Sequence, residues 1–397
     1  MSLIPRPIEW AHPAPSMPIC LRLSRLRKKI NGLIKLKRLS SYIEDLSIAT
    51  RTEQSKELDE IKSDLNRIVW SGCAFPVLEA IEHYFRHKLF LKGSKIENTV
   101  FQTTWTAYRA PLNDYASEDV KILNNKDLFV KFLQNHNIPV VCDYGYITSE
   151  DGEILWAGTD NQPCGTLRDL LVKHSVVFCK PIDACQGKGC MRLDWADRNN
   201  LSIDGKICSF EDFASVLKGK NIVQQYVVQH PVMSAVHKNS VNTIRILTMR
   251  DTEGQPHYVA GKVRFGSGGK SVDNFHGGGV ATGIDFARQC CRATALSGDL
   301  KAAPKKQHPD TGVVFDGYKL PYFPEIIDLC IKTHKCFPKI HGIGWDVAVT
   351  ENGPLFIEAN ATYDPMLLPV LNPDWGDPAG KYLIPCYNQL MKKHDYR

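Results

Sequence analysis

The chain has 397 residues, of which 43% are hydrophobic and 23% are charged. This is an ordinary globular composition, and the length is enough for more than one domain with a sizeable core. No stretch approaches the roughly 18 consecutive apolar residues of a membrane span, and five prolines interrupt the N-terminal stretch where a secretory signal needs an apolar block. Thirteen cysteines without a C-x-x-C pair suit neither a disulfide framework nor a zinc cluster. We therefore expect a cytoplasmic protein with reduced thiols.

The net charge of +6 is concentrated at the N-terminus. Residues 1–43 contain nine Lys or Arg and one acid, Glu9, so this arm carries +8 and the rest of the chain −2. A nearly neutral body argues against a nucleic-acid-binding protein. Apolar residues three and four positions apart predict that the arm is a basic amphipathic helix, and they are Leu23, Leu26, Ile30, Leu33 and Ile34. Such a helix packs on the body or on a second subunit, or it contacts an anionic membrane surface or an acidic partner.

The sequence pattern divides the chain into a mainly helical region over residues 1–114 and a mixed region after it. After Pro111, runs rich in Val and Ile alternate with helical segments and Gly-rich turns, as in an α/β or α+β domain. The pattern predicts first a helix and then three β features: a helix over Leu123–Asn137, a strand near 140–147, a hairpin turn at Asp151-Gly152 and a strand over 176–180.

Two lysines and a glycine-rich loop are candidates for binding phosphate groups. Lys126 lies on the predicted helix, and Lys180 ends an apolar strand, where a half-buried cation is tolerated when an anion meets it. Shortly after Lys180 comes the segment Gly187-Lys188-Gly189, whose backbone N–H groups can turn toward phosphate oxygens. The alternatives are ordinary surface charges for each lysine and a plain hairpin turn for the loop.

A second glycine-rich segment follows Arg264. Arg264, Asn274 and the triple glycine at 277–279 lie within sixteen residues and form a candidate cradle for an anion or oxyanion; the alternative is a surface hairpin. The segment is not a P-loop, because Arg264 occupies the position that requires its first glycine. Upstream, Asn242 and Arg245 would point to opposite faces of a strand, so we expect them not to share a site.

The most specific pattern lies at 344–360, where two strands carry Asp346, Glu358 and Asn360. Glu358 and Asn360 are two residues apart and share a strand face. A two-residue turn at Asn352-Gly353 would place Asp346 on the other face. A three-residue turn over 351–353, with Gly353 in a left-handed conformation, would place Asp346 opposite Glu358, and we expect this geometry. Two carboxylates and an amide, without His or Cys, suit a hard cation such as Mg²⁺.

In chain order these patterns resemble the ATP-grasp superfamily, and in particular its sugar-transfer-associated branch, which is related to α-L-glutamate ligases. The resemblance spans about residues 120 to 370. It depends on the following motifs: Lys126, Lys180-Pro181, Gln186–Gly189, Gln224–Val227, Ser240–Arg245, Val272-Asp273-Asn274, Gly277-Gly278, His308-Pro309, Thr311-Gly312, Gly344-Trp345-Asp346 and Glu358-x-Asn360.

The resemblance implies an α+β fold in which two subdomains, over residues 115–225 and 226–397, clamp ATP. It places Lys126, Lys180 and the loop Gly187, Lys188, Gly189 on the phosphates. It places Gln224, Gln225, Tyr226 and Val227 along the adenine, although the pair Gln224-Gln225 stands where a Glu is frequent. Asp346, Glu358 and Asn360 would hold two Mg²⁺ ions, with Mn²⁺ as an alternative, and Arg264 and Asn274 would be the catalytic residues at an acyl phosphate.

The activity implied by the resemblance is ATP-dependent ligation of a small-molecule carboxylate to an amine, with release of ADP and phosphate. The alternative is an ATP-grasp kinase that phosphorylates a sugar or polyol hydroxyl on the same nucleotide site. A third class, a non-catalytic nucleotide-binding protein, is disfavoured because the full set of charged residues is present. The expected partners are small molecules, with no nucleic acid.

Overall fold

The computed structural model describes residues 19–70, 77–86, 88–94, 96, 109–150, 153–159, 162, 165–182, 189–269, 273, 275, 278–299, 302–363, 371–372 and 379–395. Over these residues the chain forms N-terminal helices followed by two antiparallel sheets with helices packed on them. This confirms the predicted α+β class. The helices are α1 (Ile19–Arg38), α2 (Ser40–Ala49), α3 (Leu58–Trp70), α4 (Val77–Arg86), α5 (Glu118–Asn124), α6 (Lys126–Asn135), α7 (Leu167–His174), α8 (Phe210–Val216), α9 (Pro231–Val236), α10 (Phe323–Lys335) and α11 (Ile384–Asp395).

The basic N-terminal helix exists, but its buried side differs from the one predicted. Leu36 is 4% exposed and Leu33 packs beside it, whereas Ile30 and Ile34 are 46% and 47% exposed. The spacing of apolar residues therefore gave the wrong face for these two isoleucines. Gly32 lies on the buried side, where a Cβ would come 2.8 Å from Val69 of α3. The side chains of Leu23 and Leu26 lie outside the described residues.

The first sheet has seven strands in the order β2-β1-β7-β3-β4-β5-β6. The strands are β1 (Asp143–Glu150), β2 (Glu153–Gly158), β3 (Val176–Pro181), β4 (Met191–Trp195), β5 (Asn200–Ile203), β6 (Lys206–Ser209) and β7 (Asn221–Gln225). Val177, Leu193 and Val223 pack with Leu171 of α7 and Phe213 of α8 into one buried cluster. The predicted strand over 176–180 is confirmed. Glu150 pairs with Glu153 around the predicted turn, whose own residues lie outside the described ones.

The second sheet has six strands in the order β11-β10-β9-β8-β12-β13. The strands are β8 (Ile244–Arg250), β9 (Pro256–Phe265), β10 (Val280–Asp285), β11 (Cys290–Ser297), β12 (Gly342–Thr350) and β13 (Gly353–Asn360). One face holds the largest core, in which Trp345 and Phe356 pack with Phe129 of α6 and Ile326 of α10. The opposite face near β12 and β13 is where the charged side chains lie.

The segment between α6 and β1 connects the two sheets. Val140 bridges Phe356 in parallel, and Val141 donates its N–H to Phe356 O at 3.0 Å, so this segment runs beside β13 before the chain enters the first sheet. The predicted helix over 123–137 is two helices. Asn125 ends α5 and its Oδ1 caps α6 by accepting the N–H groups of Asp127 and Leu128 at 3.0 Å each. The strand predicted near 140–147 begins instead at Asp143.

Among the described helices, none combines the length and the hydropathy that crossing a membrane requires.

Candidate functional site

The register of the β12–β13 hairpin places Asp346 directly opposite Glu358, as predicted, but by a different route. Thr350 pairs with Gly353, so the turn contains two residues, Glu351 and Asn352, and the predicted three-residue turn is wrong. Val347 pairs with Phe356 and Asp346 with Glu358, so the strand has a bulge with one extra residue, Ile357. A bulge of this kind re-aims a side chain, and here it turns Glu358 onto the face of Asp346. Gly353 does have a positive φ of +110°.

Asp346 is the centre of a buried ion-pair cluster. Its side chain is 1% exposed. Arg245, opposite it on β8, donates through Nε to Oδ1 and through Nη2 to Oδ2, the latter at 2.6 Å. Nη2 of Arg264 lies 3.1 Å from the same Oδ2. Burial alone would raise the pKa of Asp346, but the charges of Arg245 and Arg264 lower it well below its usual range. The carboxylate is therefore charged and rigidly held.

Arg264 is fixed from its other side by Thr243 and Asp273. Its Nε and Nη2 donate to Thr243 Oγ1 at 2.9 and 2.7 Å, and its Nε lies 3.4 Å from Asp273 Oδ2. Asp273 in turn accepts the backbone N–H of Thr243 at 3.0 Å. Burial opposes the charge of Arg264, yet Asp273 and Asp346 raise its pKa, so it is a permanent cation facing the cluster.

Glu358 and Asn360 lie at the edge of this cluster. Asn360 donates through Nδ2 to Glu358 Oε1 at 3.4 Å, and Nη2 of Arg245 lies 4.0 Å from the same oxygen. The Glu358 side chain is 39% exposed. Its pKa is raised by partial burial and by the neighbouring charge of Asp346, which outweigh the arginines. A second carboxylate beside Asp346 is thus electrostatically unfavourable until a cation joins it.

Lys180 brings the first sheet up to this cluster. Its pKa is lowered by burial and by the nearby charge of Lys126, while Glu358 and Asp143 act in the opposite direction. The two predicted lysines and the predicted metal-binding carboxylate Glu358 therefore lie within range of one another's charges. Asp143, at the start of β1, has a pKa raised by burial to about 6, although a hydrogen bond from Gln224 and the charge of Lys180 lower it.

The predicted adenine-binding segment lies next to these groups. Gln224 is 3% exposed and its Nε2 donates to Asp143, whereas Gln225 Oε1 accepts the N–H of Cys142 at 3.4 Å. The Tyr226 ring lies under the guanidinium of Arg192 at 4.8 Å. Val227 packs in an apolar cluster with Val130, Val141 and Ala348, against which Ile357 also packs. Because Ile357 precedes Glu358, this apolar surface adjoins the carboxylates.

Some of the predicted residues lie outside the described ones or elsewhere in the fold. Gly187, Lys188 and Asn274 are not described, so their predicted roles stay predictions. Gly189 has a φ of +72°, and a Cβ there would lie 2.9 Å from Pro181. Asn242 is 1% exposed and donates to the carbonyls of Met233 and His237 at 2.8 and 2.7 Å. Its side-chain amide therefore holds the backbone of α9 and the residue after it, which agrees with the expectation that Asn242 shares no site with Arg245.

The donor set at β12 and β13 fits a hard divalent cation. All its donors are oxygens, from Glu358, Asn360 and Asp346, and the last keeps spare lone pairs beside its arginine bonds. The Cys190 thiol lies within electrostatic range of Lys180 and Glu358, but burial raises its pKa, so it stays protonated and does not favour a softer metal.

The comparison with protein families decides the class of the protein. The model of the family described as sugar-transfer associated ATP-grasp matches residues 105–373. The chain belongs to this family.

Solved structures match this chain at low similarity. A D-alanine–D-alanine ligase from Coxiella burnetii is 12% identical over 70% of this chain and 61% of that one, with a TM-score of 0.38. A D-alanyl-alanine synthetase A from Vibrio cholerae is 11% identical over 69% and 67%, with a TM-score of 0.40. A biotin carboxylase domain from Hydrogenobacter thermophilus is 11% identical over 62% and 41%, with a TM-score of 0.34. This chain thus spans less than two thirds of some of these proteins, and the likeness says nothing about activity.

No curated protein sequence shows significant similarity to this chain.

Sequence reasoning missed three contributors to the cluster: Arg245, Asp143 and Thr243. Arg245 and Asp346 are 101 residues apart in the sequence and meet on neighbouring strands, so no local spacing links the two. Asp143 precedes an ordinary strand, and only the pairing of β1 with β7 brings it to Gln224. Thr243 lies in the motif Ser240–Arg245, which marks the region, but its hydroxyl contact with Arg264 is visible only in the structure.

Proposed function

We propose that the protein is an ATP-dependent carboxylate–amine ligase that works through an acyl phosphate and releases ADP and phosphate. The observation that supports this most is the cluster in which Arg245 and Arg264 hold Asp346 beside Glu358, with Lys180 facing them from the other sheet. Transfer of a phosphoryl group to a carboxylate brings anions together, and this cluster supplies fixed cations and metal-binding oxygens in one place.

In this proposal the nucleotide lies between residues 115–225 and 226–397. Lys126 and Lys180 bind its phosphates, together with the loop at 187–189. Val227 offers an apolar surface to the adenine, continuous with Ala348 and Ile357. Gln224, Gln225 and Tyr226 line the same segment, where Gln224 also orders Asp143. The two units then exclude water that would hydrolyse an acyl phosphate.

Glu358, Asn360 and Asp346 are the residues that would hold Mg²⁺, or Mn²⁺ in its place. A bound divalent ion supplies charge neutralisation at the phosphates. Arg245 acts through Asp346 as a positioning residue, because its bidentate grip fixes the orientation of that carboxylate. Arg264 faces the reacting acyl group, and Asn274 is proposed as its partner there.

The ligase and the kinase differ in the product of the first transfer. A panel of carboxylic acids is incubated with ATP and Mg²⁺ in the presence of hydroxylamine, which traps an acyl phosphate as a hydroxamate. We expect ADP and a hydroxamate for at least one acid. ADP with a stable phosphate ester of a sugar or polyol would support the kinase instead, and AMP with pyrophosphate would contradict both.

A further inference from the structure

A second cluster of metal-ligating side chains lies away from the nucleotide site, beside the end of β9. It contains His237, His308 and Asp310, one ligand atom of each lying within 4.8 Å of the others. His237 and His308 are 4% and 1% exposed, whereas the Asp310 side chain is 36% exposed. Nδ1 of His237 lies 3.7 Å from Asp310 Oδ2. Two buried imidazoles thus meet one solvent-accessible carboxylate.

The hydrogen bonds of His308 determine which of its nitrogens is the lone-pair donor. Its Nε2 lies 2.7 Å from Gly266 O, and because a carbonyl oxygen can only accept, Nε2 must carry the proton. Burial lowers the pKa of His308, so the ring is neutral and Nδ1 has a lone pair. An imidazole that donates its far N–H to a backbone carbonyl is the arrangement in which protein histidines bind metals.

The Nδ1 atom of His308 is poorly satisfied within the described part of the chain. Thr311 Oγ1 lies 3.2 Å away, but its single proton goes to Val236 O at 3.0 Å. The remaining donor there is the N–H of Asp310, at a long 3.3 Å. A buried acceptor with so weak a partner costs free energy, which a stronger ligand on Nδ1 would recover.

We propose that His237, His308 and Asp310 bind a divalent transition-metal ion of the zinc class, with an open fourth position on the side of Asp310. Two imidazoles and a carboxylate match this class and not Mg²⁺. A tetrahedral ion with bonds of roughly 2.0–2.1 Å keeps its ligand atoms roughly 3.3 Å apart, so ligand atoms that start within 4.8 Å of one another close by at most about 1.5 Å.

The ion would tether the segment that follows Arg264. Asp310 Oδ2 accepts the N–H of Gly268 at 2.7 Å, and His308 holds Gly266 O. A Cβ at Gly266 would lie 2.6 Å from the His237 ring, so the imidazole packs directly on this backbone. The metal would thus fix the backbone at Gly266 and Gly268, independently of which reaction the nucleotide site performs.

Metal binding by the full-length protein tests the proposal. After removal of metals with a chelator, Zn²⁺ is titrated in by calorimetry and bound zinc is measured by elemental analysis. We expect one equivalent to bind and to raise the melting temperature. Asp310→Asn should weaken binding by more than about tenfold. Because Asp310 is partly exposed, this variant should fold even where His237→Gln does not.

Two control variants separate this site from other carboxylates. Glu358→Gln removes a ligand of the proposed Mg²⁺ site, and Asp316→Asn removes an exposed carboxylate paired with Arg288. Both should bind zinc as the wild type does. The absence of saturable Zn²⁺ binding by the wild type would overturn the proposal, as would unchanged affinity in Asp310→Asn or loss of binding in Glu358→Gln.

Discussion

At the scale of single residues, the site depends on a carboxylate that is almost fully buried and yet charged. Asp346 is tolerated because Arg245 contacts both of its oxygens and Arg264 contacts one. Removing one partner from such a buried pair typically costs roughly 3–5 kcal/mol, because the remaining charge is left uncompensated. Glu358 is different, because its side chain is 39% exposed and its ion pair with Arg245 is long, with 4.0 Å between Nη2 and Oε1. We therefore expect Glu358 to serve ligand binding more than stability.

Glu358→Gln should abolish turnover while the fold is retained. The substitution keeps the side-chain shape but removes the charge that would balance a divalent ion, so we expect turnover to fall by at least about a hundredfold. ADP release at saturating ATP and Mg²⁺ measures this, with circular dichroism as the check of folding. Glu351→Gln, in the exposed turn of the same hairpin, should leave turnover unchanged. Activity of Glu358→Gln within about tenfold of wild type would refute the metal-binding role.

Asp143→Asn should change how stability depends on pH. Burial raises the pKa of Asp143 from its ordinary 3.8 to about 6. Between these values the folded state holds more protons than the unfolded state, so the free energy of unfolding falls as pH rises through this window. The asparagine side chain does not titrate, so the variant lacks this pH-dependent contribution to the free energy of unfolding. The stability of the wild type minus that of Asp143→Asn should therefore decrease from pH 4 to pH 6, by on the order of 2 kcal/mol, and level off above.

Denaturant unfolding at several pH values, without nucleotide or metal, measures the effect of Asp143. Asp316→Asn, at an exposed ion pair with Arg288, serves as the matched control and should give a nearly constant difference from wild type. A difference for Asp143→Asn that stays flat, or rises between pH 4 and 6, would show that the carboxyl is charged throughout.

The sequence identified most charged residues of the site but not their partners. Asp346, Glu358, Arg264 and Lys180 stand in recognisable local patterns, whereas the contact of Arg245 with Asp346 arises from the pairing of β8 with β12. Sheet order is a property of the whole chain, and local spacing does not contain it.

At the scale of secondary structure elements, the β12–β13 hairpin shows how a correct register can arise from an unexpected detail. Strand alternation counts residues, so the sequence required one extra residue somewhere between Asp346 and Glu358. The predicted three-residue turn would supply this residue, but in the structure it is Ile357 in a bulge. Both satisfy the alternation, and packing decides between them, because Ile357 contacts the apolar cluster of Val227 and Ala348.

Gly353→Val should destabilise the hairpin without changing the metal-binding register. Gly353 has a φ of +110°, which a β-branched residue adopts only with strain, and a Cβ there would meet no atom within 4 Å. The cost is therefore one of backbone strain, about 1–3 kcal/mol. Since the bulge and the Arg245 pair fix Asp346 opposite Glu358, Mg²⁺-dependent nucleotide binding should persist in the folded variant.

Glu351→Val is the control for the turn, because it introduces the same side chain at an exposed neighbouring position without a positive φ. It should be close to wild type in stability. If Gly353→Val loses Mg²⁺-dependent nucleotide binding while folded, the turn and not the bulge sets the register.

The helices also combine features that the local sequence predicts with features that depend on their neighbours in the fold. The spacing of apolar residues predicted one helix over 123–137, but Asn125 caps a new helix that begins at Lys126. The prediction failed because a single capping residue does not interrupt the apolar spacing. For α1, the spacing marked Ile30 and Ile34 as buried, although they are about half exposed. A helix can present more than one apolar stripe, and the neighbouring α3 selects the stripe that is buried.

At the scale of the whole molecule, the N-terminal helices pack against the edge of the second sheet. Leu36, Ile43 and Phe90 share a buried cluster with Ala281 of β10 and Leu296 of β11. Lys88, which is 1% exposed, donates through Nζ to Asp299 O at 2.5 Å. Burial lowers the pKa of Lys88 to about 8. The helical region is therefore tied to strands β10 and β11, at the opposite edge of the sheet from β13.

Removal of residues 1–40 should lower thermal stability but leave nucleotide affinity nearly unchanged. The deletion removes α1 and exposes the surface of α3 on which Leu36 and Gly32 pack, so we expect a loss of several kcal/mol in the helical region. The proposed ATP contacts all lie after residue 120 and on the β13 side of the sheet, so ATP affinity should stay within about threefold. Calorimetric titration with ATP and Mg²⁺, below the melting temperature of the variant, measures the affinity.

Leu36→Ala in the full-length chain is the matched variant, because it weakens the same packing without deleting the basic arm. A loss of ATP affinity above about tenfold in the truncated protein, with Leu36→Ala unaffected and both folded, would show that the arm itself completes the nucleotide site.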